Sequence, residues 1–293
     1  MRSTEKESKT NFGFKEVPLS TKERLVNKVF SSVANKYDIM NDVMSLGMHR
    51  LWKKEFMKFL PDKSKSLLDL ASGTGDIAYN YFTSARQAAE SPRIIVSDIN
   101  KDMLEVARAK FIDAGILNVP ISKFADVEEF EEDEERKTTV YNSLQEDSST
   151  EPTYKLPTAV EFLLASAMDL PFKDNAFDYC TIAFGIRNVA DIEKALSEAL
   201  RVLKPGGKFV CMELSPLKSG IISEIYDIYS FKIIPKIGRL IADDEESYQY
   251  LVESIRKFPK PRDFANLIEK AGFKCVNYKS MNFETVSIHY GYK

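Results

Sequence analysis

Three kinds of feature are scarce in this chain of 293 residues, and each scarcity excludes a class of protein. The sequence has no run of about 18 apolar residues, so we expect no segment that spans a bilayer. Basic residues do not exceed acidic ones, with 41 Lys and Arg against 44 Asp and Glu, which argues against a surface that coats nucleic acid. Cysteine is rare and follows no CxxC spacing, so we expect no disulfide framework but reduced, buried thiols at Cys180, Cys211 and Cys275.

The N-terminal segment, residues 1–18, lacks the marks of a targeting peptide. It is polar, has no apolar h-region, and contains Glu5, Glu7 and Glu16, which organelle transit peptides usually avoid. We therefore expect a frayed arm, and we expect any transit peptide to have been removed before Met1.

Apolar patterning defines the predicted fold. After the arm, large side chains recur at every fourth position up to Tyr37, which predicts a helix that Thr21 caps. Beyond it, buried strands and helical stripes alternate, which predicts parallel strands joined by right-handed crossovers in a doubly wound α/β sheet. The pattern of residues 274–293 predicts two strands with no helix between them, and therefore an antiparallel pair at one edge of the sheet. The predicted inner strands are SLLDL, RIIVSDI, VEFLLASA, FDYCTIAF and KFVCMEL.

Residues 126–158 interrupt this alternation. Eight of the first ten positions are carboxylates, and the segment has almost no apolar periodicity. It cannot bury enough surface to order itself, so we expect an inserted, mobile acidic loop. A docking role for this loop is the alternative.

The first strand, turn and helix form the expected ligand site, because ligands of such sheets bind beyond the carboxyl ends of the strands at the switch point. DLASGTGD places Gly73 and Gly75 where backbone must approach a ligand, and Asp98 ends the next strand as an acceptor for ribose hydroxyls or as a simple strand-end cap. A nicotinamide dehydrogenase would use the same geometry. However, Ala78 replaces the third glycine of that motif, and Asp69 would repel a pyrophosphate. The pattern favours a cationic ligand without phosphate.

Several motifs carry a resemblance to a known family. DLASGTGD, SDI, LPFKDNAFD and RVLKPGG resemble the successive motifs of class I S-adenosylmethionine-dependent methyltransferases. YDIMNDVMSLGMHRLW, together with FGIRNV and SYQYLVESIRKFP, is similar to one family of that class, the ubiquinone/menaquinone biosynthesis C-methyltransferases. The similarity extends from about Tyr37 to Lys293, apart from the acidic insertion.

The resemblance implies an activity and a domain plan. The expected reaction is C-methylation of a polyprenylated methoxy-benzoquinol ring in ubiquinone biosynthesis, with S-adenosylmethionine as cofactor and no metal. The alternatives are a cofactor-binding structural subunit of the quinone-biosynthesis complex and a methyltransferase for another apolar molecule, such as a sterol. The expected single domain comprises an N-terminal helical lid (1–60), a cofactor-binding core (61–216) and substrate or dimer helices with the C-terminal strand pair (217–293).

The resemblance also implies the cofactor site. Gly73, Thr74 and Gly75 would lie under the amino-acid end of the cofactor, and Asp98 would hold the ribose hydroxyls. Asp69, just before the glycine loop, is also expected among the cofactor-binding residues. Ser166 and Ala167 would edge the adenine. Relatives commonly carry Asn or Asp at the position of Ser166, so this chain departs from the family pattern there.

The substrate and catalytic residues follow from the same resemblance. Tyr37, Asn41 and Trp52 would form part of the wall around the acceptor ring, although Tyr37 and Trp52 are also plausible core residues. Arg187 and Asn188 would hold the developing phenolate or orient a water that takes its proton, with a structural ion pair as the alternative for Arg187. His49 or Asp38 is the conventional candidate for the base, and the sequence does not choose between them.

Partners and location are the last expectations. The segment SEIYDIYSFKIIPKIGRLI, residues 223–241, is apolar nearly all round and would line a tail channel, form a dimer interface or touch a membrane. We expect a polyprenyl benzoquinol substrate, a homodimer, a multi-subunit quinone-biosynthesis complex and peripheral membrane contact, but no nucleic acid. The expected location is the matrix side of the mitochondrial inner membrane, with the bacterial cytoplasm as the alternative.

Overall fold

The computed structural model describes residues 8–114, 160–216 and 245–293. Both the acidic insertion and the apolar segment 223–241 therefore lie outside the described residues. Strands β1 to β9 span Lys9–Phe12, Lys15–Pro18, Leu67–Leu70, Ile94–Asp98, Val160–Leu164, Phe177–Ala183, Leu203–Leu214, Lys274–Met281 and Val286–Tyr292. Helices α1 to α8 span Leu19–Val33, Tyr37–Ser45, His49–Phe56, Asp76–Gln87, Lys101–Asp113, Ile192–Val202, Glu245–Lys257 and Pro261–Lys270.

Within these ranges, seven strands form a central sheet in the order β5-β4-β3-β6-β7-β9-β8. The pairs among β3 to β7 are parallel, whereas β9 is antiparallel to both of its neighbours. The predicted α/β class and the antiparallel C-terminal pair are therefore confirmed. From β3 the chain moves outward to β4 and β5, and β6 then returns to the other side of β3. This reversal creates the switch point of the sheet.

Alternating side chains of the inner strands pack against helices on both faces of the sheet. Leu67 contributes to the core cluster shared with α1, α4, α5 and α7, whereas its neighbour Leu68 contributes to the cluster shared with α6 and α8. Both residues are fully buried. Coverage of both faces explains why these strands are nearly continuous apolar runs rather than alternating ones.

The N-terminal arm is ordered, so the prediction of a frayed arm was wrong from residue 8 onward. Strands β1 and β2 pair as an antiparallel hairpin. The Phe12 ring stacks on Tyr250 of α7 at a centroid distance of 4.2 Å, and the Phe14 N–H donates to Glu253. These contacts with α7 come from the distant end of the chain and are invisible in the local composition.

Two smaller predictions were also wrong. Helix α1 begins at Leu19 with Pro18 as its N-cap residue, so Thr21 lies inside the helix and does not cap it. Cys275 is exposed because it lies on the outermost strand β8, while Cys180 and Cys211 are buried as expected, and all three are free thiols. In the part of the chain that the structure describes, no helix is long and apolar enough to cross a membrane.

Candidate active site

A cavity that opens to solvent lies at the switch point, beyond the carboxyl ends of β3, β4, β5 and β6, with an empty volume of about 690 Å³ including the open part. The sheet side and the helices α1 and α2 each supply part of its wall. From the sheet side, the lining includes Ala71, Gly73, Asp98, Ser166, Ala167, Phe184 and Asn188. From the helices, it includes Glu23, Asn27, Phe30 and Tyr37.

Asp98 is the acidic group at the base of this cavity. Its Oδ2 accepts a hydrogen bond from the Gly73 N–H at 2.8 Å, and its Oδ1 accepts one from the Asn100 N–H at 2.8 Å. Burial raises the pKa of Asp98, and these backbone bonds oppose that shift. The backbone bonds leave part of the acceptor capacity of this carboxylate free for a ligand hydroxyl.

The two glycines of the loop after β3 have different surroundings. A Cβ built on Gly73, whose φ is +54°, would lie 3.8 Å from the Tyr37 ring on the far side of the cavity. A Cβ on Gly75, whose φ is +72°, would lie 3.1 Å from the Ala107 Cβ in the core. Gly73 therefore lies at the cavity surface, where an added Cβ would just contact Tyr37, whereas Gly75 lets α4 pack closely against α5. Between them, Thr74 is buried outside the lining, and its carbonyl accepts from Lys110 Nζ at 2.9 Å.

Asp69 lies outside the cavity lining, so its expected role in cofactor binding stays a prediction without support from its placement. The Thr181 hydroxyl donates to Asp69 Oδ1 at 2.7 Å, and the Ala78 N–H donates to Oδ2 at 3.3 Å. Burial raises the pKa of Asp69 to about 7. This carboxyl group accepts a hydrogen bond from a backbone N–H in the first turn of α4. The residue that donates it, Ala78, occupies the position of the third glycine in the dinucleotide-binding motif.

Ser166 and Ala167 line the cavity next to the end of β5. The Ser166 hydroxyl donates to Glu23 Oε1 of α1 at 3.0 Å. Sequence reasoning missed Glu23, because a polar residue on an amphipathic helix carries no local sign that it faces a ligand site. The pair brings a carboxylate to the position where this chain departs from the family pattern.

Helix α1 is held over the cavity by contacts on two sides. Lys22 Nζ donates to the Val189 carbonyl at 2.8 Å, and burial lowers the pKa of this lysine to about 8. Asn100 Nδ2 donates to the Asn27 carbonyl and to the Ser31 hydroxyl, both at 3.0 Å. These anchors were also missed, since they join segments far apart in the sequence.

Tyr37 provides an aromatic wall opposite Gly73. Burial raises the pKa of Tyr37 to about 12, while the charge of Arg187 and a hydrogen bond with Asn41 lower it. Tyr37 is therefore a neutral hydroxyl at physiological pH. Trp52 lies one layer further out: its ring is 6.2 Å from that of Phe184. Of the three predicted substrate residues, Tyr37 is thus in the lining, Asn41 supports it, and Trp52 packs behind the wall.

The two candidate bases are not brought to this cavity. His49 and Asp38 both line a separate groove beside α3 and α4. His49 Nε2 lies 2.9 Å from Asp42 Oδ1, and burial lowers the pKa of His49. A role for either residue as the general base stays a prediction, without support from their placement.

Arg187 and Asn188 lie in a 3₁₀ turn, Ile186–Asn188, that follows β6. Arg187 Nη1 donates to Glu213 Oε1 and to the Phe184 carbonyl, both at 2.6 Å, and its side chain is 4% exposed. Burial raises the pKa of Glu213, although the Arg187 charge opposes this shift. Asn188 lines the cavity, and its Oδ1 accepts from the Tyr250 hydroxyl at 3.0 Å. The guanidinium thus lies in an ion pair behind the cavity wall, and only Asn188 faces the cavity.

Comparison with known families and proteins gives consistent matches. The sequence model of the ubiE/COQ5 methyltransferase family matches residues 19–146 and 143–293. The ubiquinone/menaquinone biosynthesis C-methyltransferase UbiE of Rickettsia prowazekii (strain Madrid E) is 45% identical over 284 residues, which cover 97% of this chain and 98% of that protein. UbiE of Rickettsia bellii (strain OSU 85-389) is 44% identical over 286 residues, covering 98% and 99% of the two chains.

Solved structures agree at the level of the fold. A SAM-dependent methyltransferase of Thermotoga maritima, described as a possible histamine N-methyltransferase, has a TM-score of 0.52 at 16% identity and covers 91% of this chain and 99% of its own. A putative S-adenosyl-L-methionine-dependent methyltransferase of Methanococcus maripaludis has a TM-score of 0.51 at 15% identity and covers 90% and 93%. At these identities, the likeness shows a shared fold alone.

Proposed function

This chain belongs to the ubiE/COQ5 methyltransferase family, and we propose that it methylates a ring carbon of a polyprenylated methoxy-benzoquinol in ubiquinone biosynthesis. Membership makes it a C-methyltransferase whose cofactor is S-adenosylmethionine. The polyprenylated ring, the pathway and the location are the proposed part.

The cavity fits the cofactor. When bound, S-adenosylmethionine supplies an electrophilic methyl group. The acceptor capacity of Asp98 that its backbone bonds leave free suits the ribose hydroxyls, and the absence of a Cβ on Gly73 lets the backbone approach the ligand. Ser166 and Glu23 would hold the adenine edge, because the Glu23 carboxylate is an acceptor for an exocyclic amine.

One observation carries the proposal for the acceptor: the cavity that contains Asp98 is also walled by the aromatic rings of Phe30, Tyr37 and Phe184. An aromatic acceptor can lie against these rings, next to the cofactor site, with its oxygens toward polar groups. The neutral Tyr37 hydroxyl and the Asn188 side chain are the polar groups that we assign to the ring oxygens. Positioning of this kind supplies much of the rate of a bimolecular transfer.

A ring carbon becomes nucleophilic when a neighbouring hydroxyl loses its proton, so the site must stabilise a phenolate. The positive charge of Arg187 already lowers the pKa of Tyr37, and it would act in the same direction on a substrate hydroxyl beside that residue. We assign the proton to a water that Asn188 orients, because a guanidinium such as that of Arg187 offers donors and no acceptor. The lining carboxylates that the structure describes are Asp98 and Glu23, both assigned to the cofactor.

The test is an assay with a short-tailed demethyl-quinol analogue and isotopically labelled methyl donor. The label should be found on a ring carbon of the product. Label on oxygen, or transfer to a sterol but not to the quinol, would contradict the proposal. A calorimetric titration with S-adenosylmethionine should give a clear binding signal, and only methyl transfer to the analogue separates the enzyme from a cofactor-binding structural subunit.

We also propose that the protein acts in the mitochondrion, on the matrix side of the inner membrane, as a homodimer within a quinone-biosynthesis complex. A hydrophobic quinol could then pass between enzymes without entering water. The alternative location is the bacterial cytoplasm. Fractionation of the source cells would decide between them, and recovery in the cytosol of a eukaryotic cell would contradict the mitochondrial proposal.

A further inference from the structure

Three charged side chains meet behind the glycine loop, outside the lining of the cavity. Asp76 is the first residue of α4 and directly follows this loop. Its Oδ2 accepts a hydrogen bond from Lys53 Nζ of α3, and its Oδ1 accepts one from Lys110 Nζ of α5. A single carboxylate thus joins three helices. We call Lys53, Asp76 and Lys110 the charge cluster.

The charge cluster is largely withdrawn from water. The side chain of Lys53 is 8% exposed, and those of Asp76 and Lys110 are each 24% exposed. Burial raises the pKa of Asp76, but the charges of Lys53 and Lys110 outweigh this effect and lower the pKa to about 2. One lysine would already neutralise the carboxylate, and burial of a further charge has a desolvation cost. Neutralisation of Asp76 alone therefore does not account for the second lysine.

Lys110 connects the charge cluster to the cofactor side of the cavity. Its Nζ also donates to the Thr74 carbonyl at 2.9 Å. Thr74 lies between Gly73 and Gly75, whose backbones are left-handed and unrestrained by a side chain. A fixed donor to the carbonyl between them restricts the orientation of the loop. The Gly73 N–H, on the same loop, donates to Asp98 at the base of the cavity.

Lys53 connects the charge cluster to the aromatic wall of the cavity. It follows Trp52 on α3, and the Trp52 ring lies 6.2 Å from the ring of Phe184, a lining residue. The bond from Lys53 to Asp76 ties α3 to the start of α4. It therefore helps to fix the place of Trp52 behind the wall.

We propose that Lys53, Asp76 and Lys110 are positioning residues that couple the cofactor loop to the aromatic wall. Lys110 acts on the cofactor side, Lys53 acts on the acceptor side, and Asp76 joins the two. A cofactor bound against the loop would steady Asp76, and Asp76 would steady α3 through Lys53. The acceptor side of this inference rests on the proposed function, whereas the cofactor side does not.

The excess of one lysine allows variants that leave no unpaired charge. Lys110→Met and Lys53→Met each keep one lysine paired with Asp76. Lys110→Met should weaken S-adenosylmethionine binding by about tenfold, because the charged bond to the Thr74 carbonyl is lost and the loop is freer. Lys53→Met keeps this bond and should bind the cofactor within about threefold of wild type. Isothermal titration calorimetry measures both affinities.

The acceptor side should respond in the opposite way. At saturating S-adenosylmethionine, Lys53→Met should raise the KM of the short-tailed demethyl-quinol analogue several-fold, because the wall is less well fixed. Lys110→Met should keep this KM near the wild-type value. Asp76→Asn should show both losses, since it weakens the bonds to both lysines.

Hydrogen exchange measures the coupling without an acceptor. In the wild type, S-adenosylmethionine should slow amide exchange at the start of α4 and also in α3. In Lys53→Met, exchange should slow in α4 but no longer in α3.

Arg93→Met is the matched control. Arg93 Nε pairs with Glu161 Oε1 at 3.0 Å, and both side chains are partly buried. This pair joins the amino ends of β4 and β5, opposite the cavity. The control should lower the melting temperature without changing the cofactor affinity or the KM of the analogue.

Each outcome decides the proposal. Normal cofactor affinity in Lys110→Met would overturn it, and so would equal effects of the two methionine variants on both sides, because a cluster that only stabilises the fold would not separate them. Lower melting temperatures with normal affinity and KM would likewise show a structural role alone. If the wild type binds S-adenosylmethionine but does not methylate the analogue, the proposed function fails, while calorimetry and hydrogen exchange still decide the role of the charge cluster.

Discussion

Two carboxyl groups at the ends of neighbouring strands, Asp69 and Asp98, show how single residues divide the work of this site. Both are buried, but Asp98 faces the cavity whereas Asp69 faces the start of α4. Their predicted roles separate accordingly: Asp98 should affect the ligand, and Asp69 should affect the fold.

Asp98→Ala should weaken S-adenosylmethionine binding by roughly 1 to 3 kcal/mol, because hydrogen bonds to the ribose hydroxyls are left unmade. Isothermal titration calorimetry measures this directly. Asp69→Asn serves as a control, since it removes a buried carboxylate outside the lining and should leave the affinity almost unchanged. Normal affinity in Asp98→Ala would show that this residue only caps its strand.

Asp69 should make stability depend on pH. Burial raises its pKa from 3.8 to about 7, so the folded protein binds the proton more tightly than the unfolded chain. The stability gained from this proton is fully present below about pH 4 and is lost as the pH rises to about 7. Asp69→Asn cannot lose a proton, so its free energy of unfolding should gain roughly 4 kcal/mol relative to wild type between about pH 4 and pH 8, from a pKa shift of about three units. Urea unfolding across this range measures the difference, and parallel curves would contradict the assignment.

Arg187 could stabilise the phenolate during catalysis, or it could serve only as the ion-pair partner of Glu213. Arg187→Met should lower turnover by about 100-fold and leave cofactor binding normal, because the charge that it meets develops mainly in the transition state. It should also cost about 3–5 kcal/mol of stability, since Glu213 is left buried without its partner. The double variant Arg187→Met/Glu213→Met separates these effects. Its melting temperature should recover while its turnover stays low, and recovery of both would show that Arg187 acts only through the ion pair.

At the scale of elements, the loop between β3 and α4 combines a ligand position with a packing position. Gly75→Ala should destabilise the protein by about 1–3 kcal/mol, because the new Cβ meets Ala107 and the backbone is left-handed. Gly73→Ala has the same backbone strain but points into the cavity. Thermal unfolding with and without S-adenosylmethionine should show that Gly73→Ala loses the stabilisation by the ligand and Gly75→Ala keeps it. The reverse result would exchange the two roles.

The sequence predicts that helix α1 forms, but it does not predict where this helix lies on the sheet. The spacing of its apolar residues predicts the helix, and its buried face contributes Val26, Val29 and Val33 to the core. Its place over the cavity depends on Lys22 and Asn27, which contact the loop after β6 and the start of α5. Both are polar residues whose partners lie far along the chain.

At the scale of the whole molecule, the acidic insertion connects α5 to β5, which is an edge strand of the described sheet. Deletion of residues 126–157, with the ends joined by a short flexible linker, should leave methyl transfer within a few-fold of the parent. No described strand pair is interrupted by this change, and the cost of loop closure depends only weakly on length. Assays of turnover and melting temperature check this expectation. A collapse of thermal stability would show that the segment packs against the domain.

The sequence by itself determined the sheet, the position of its switch point and the family. These features depend on local patterns. Buried strands appear as short apolar runs, helices as apolar residues that recur every three to four positions, and the ligand-binding loop as a pair of glycines. Met103, Leu104, Ala107 and Phe111 follow the helical spacing in the sequence, and they form the buried face of α5. The spacing of apolar residues shows which face of a helix or strand is buried, but it does not show which other element packs against that face.

Only the tertiary structure decided which of the candidate residues meet. Tyr37 and His49 lie in one motif, yet Tyr37 lines the cavity and His49 lines another groove. Conversely, Ser166 and Glu23 are 143 residues apart and share a hydrogen bond in the cavity wall. The physical reason is that side-chain direction within a motif is local, whereas the partner across a cavity depends on how whole helices pack on the sheet. That packing is the sum of many distant contacts, and no short stretch of the sequence contains it.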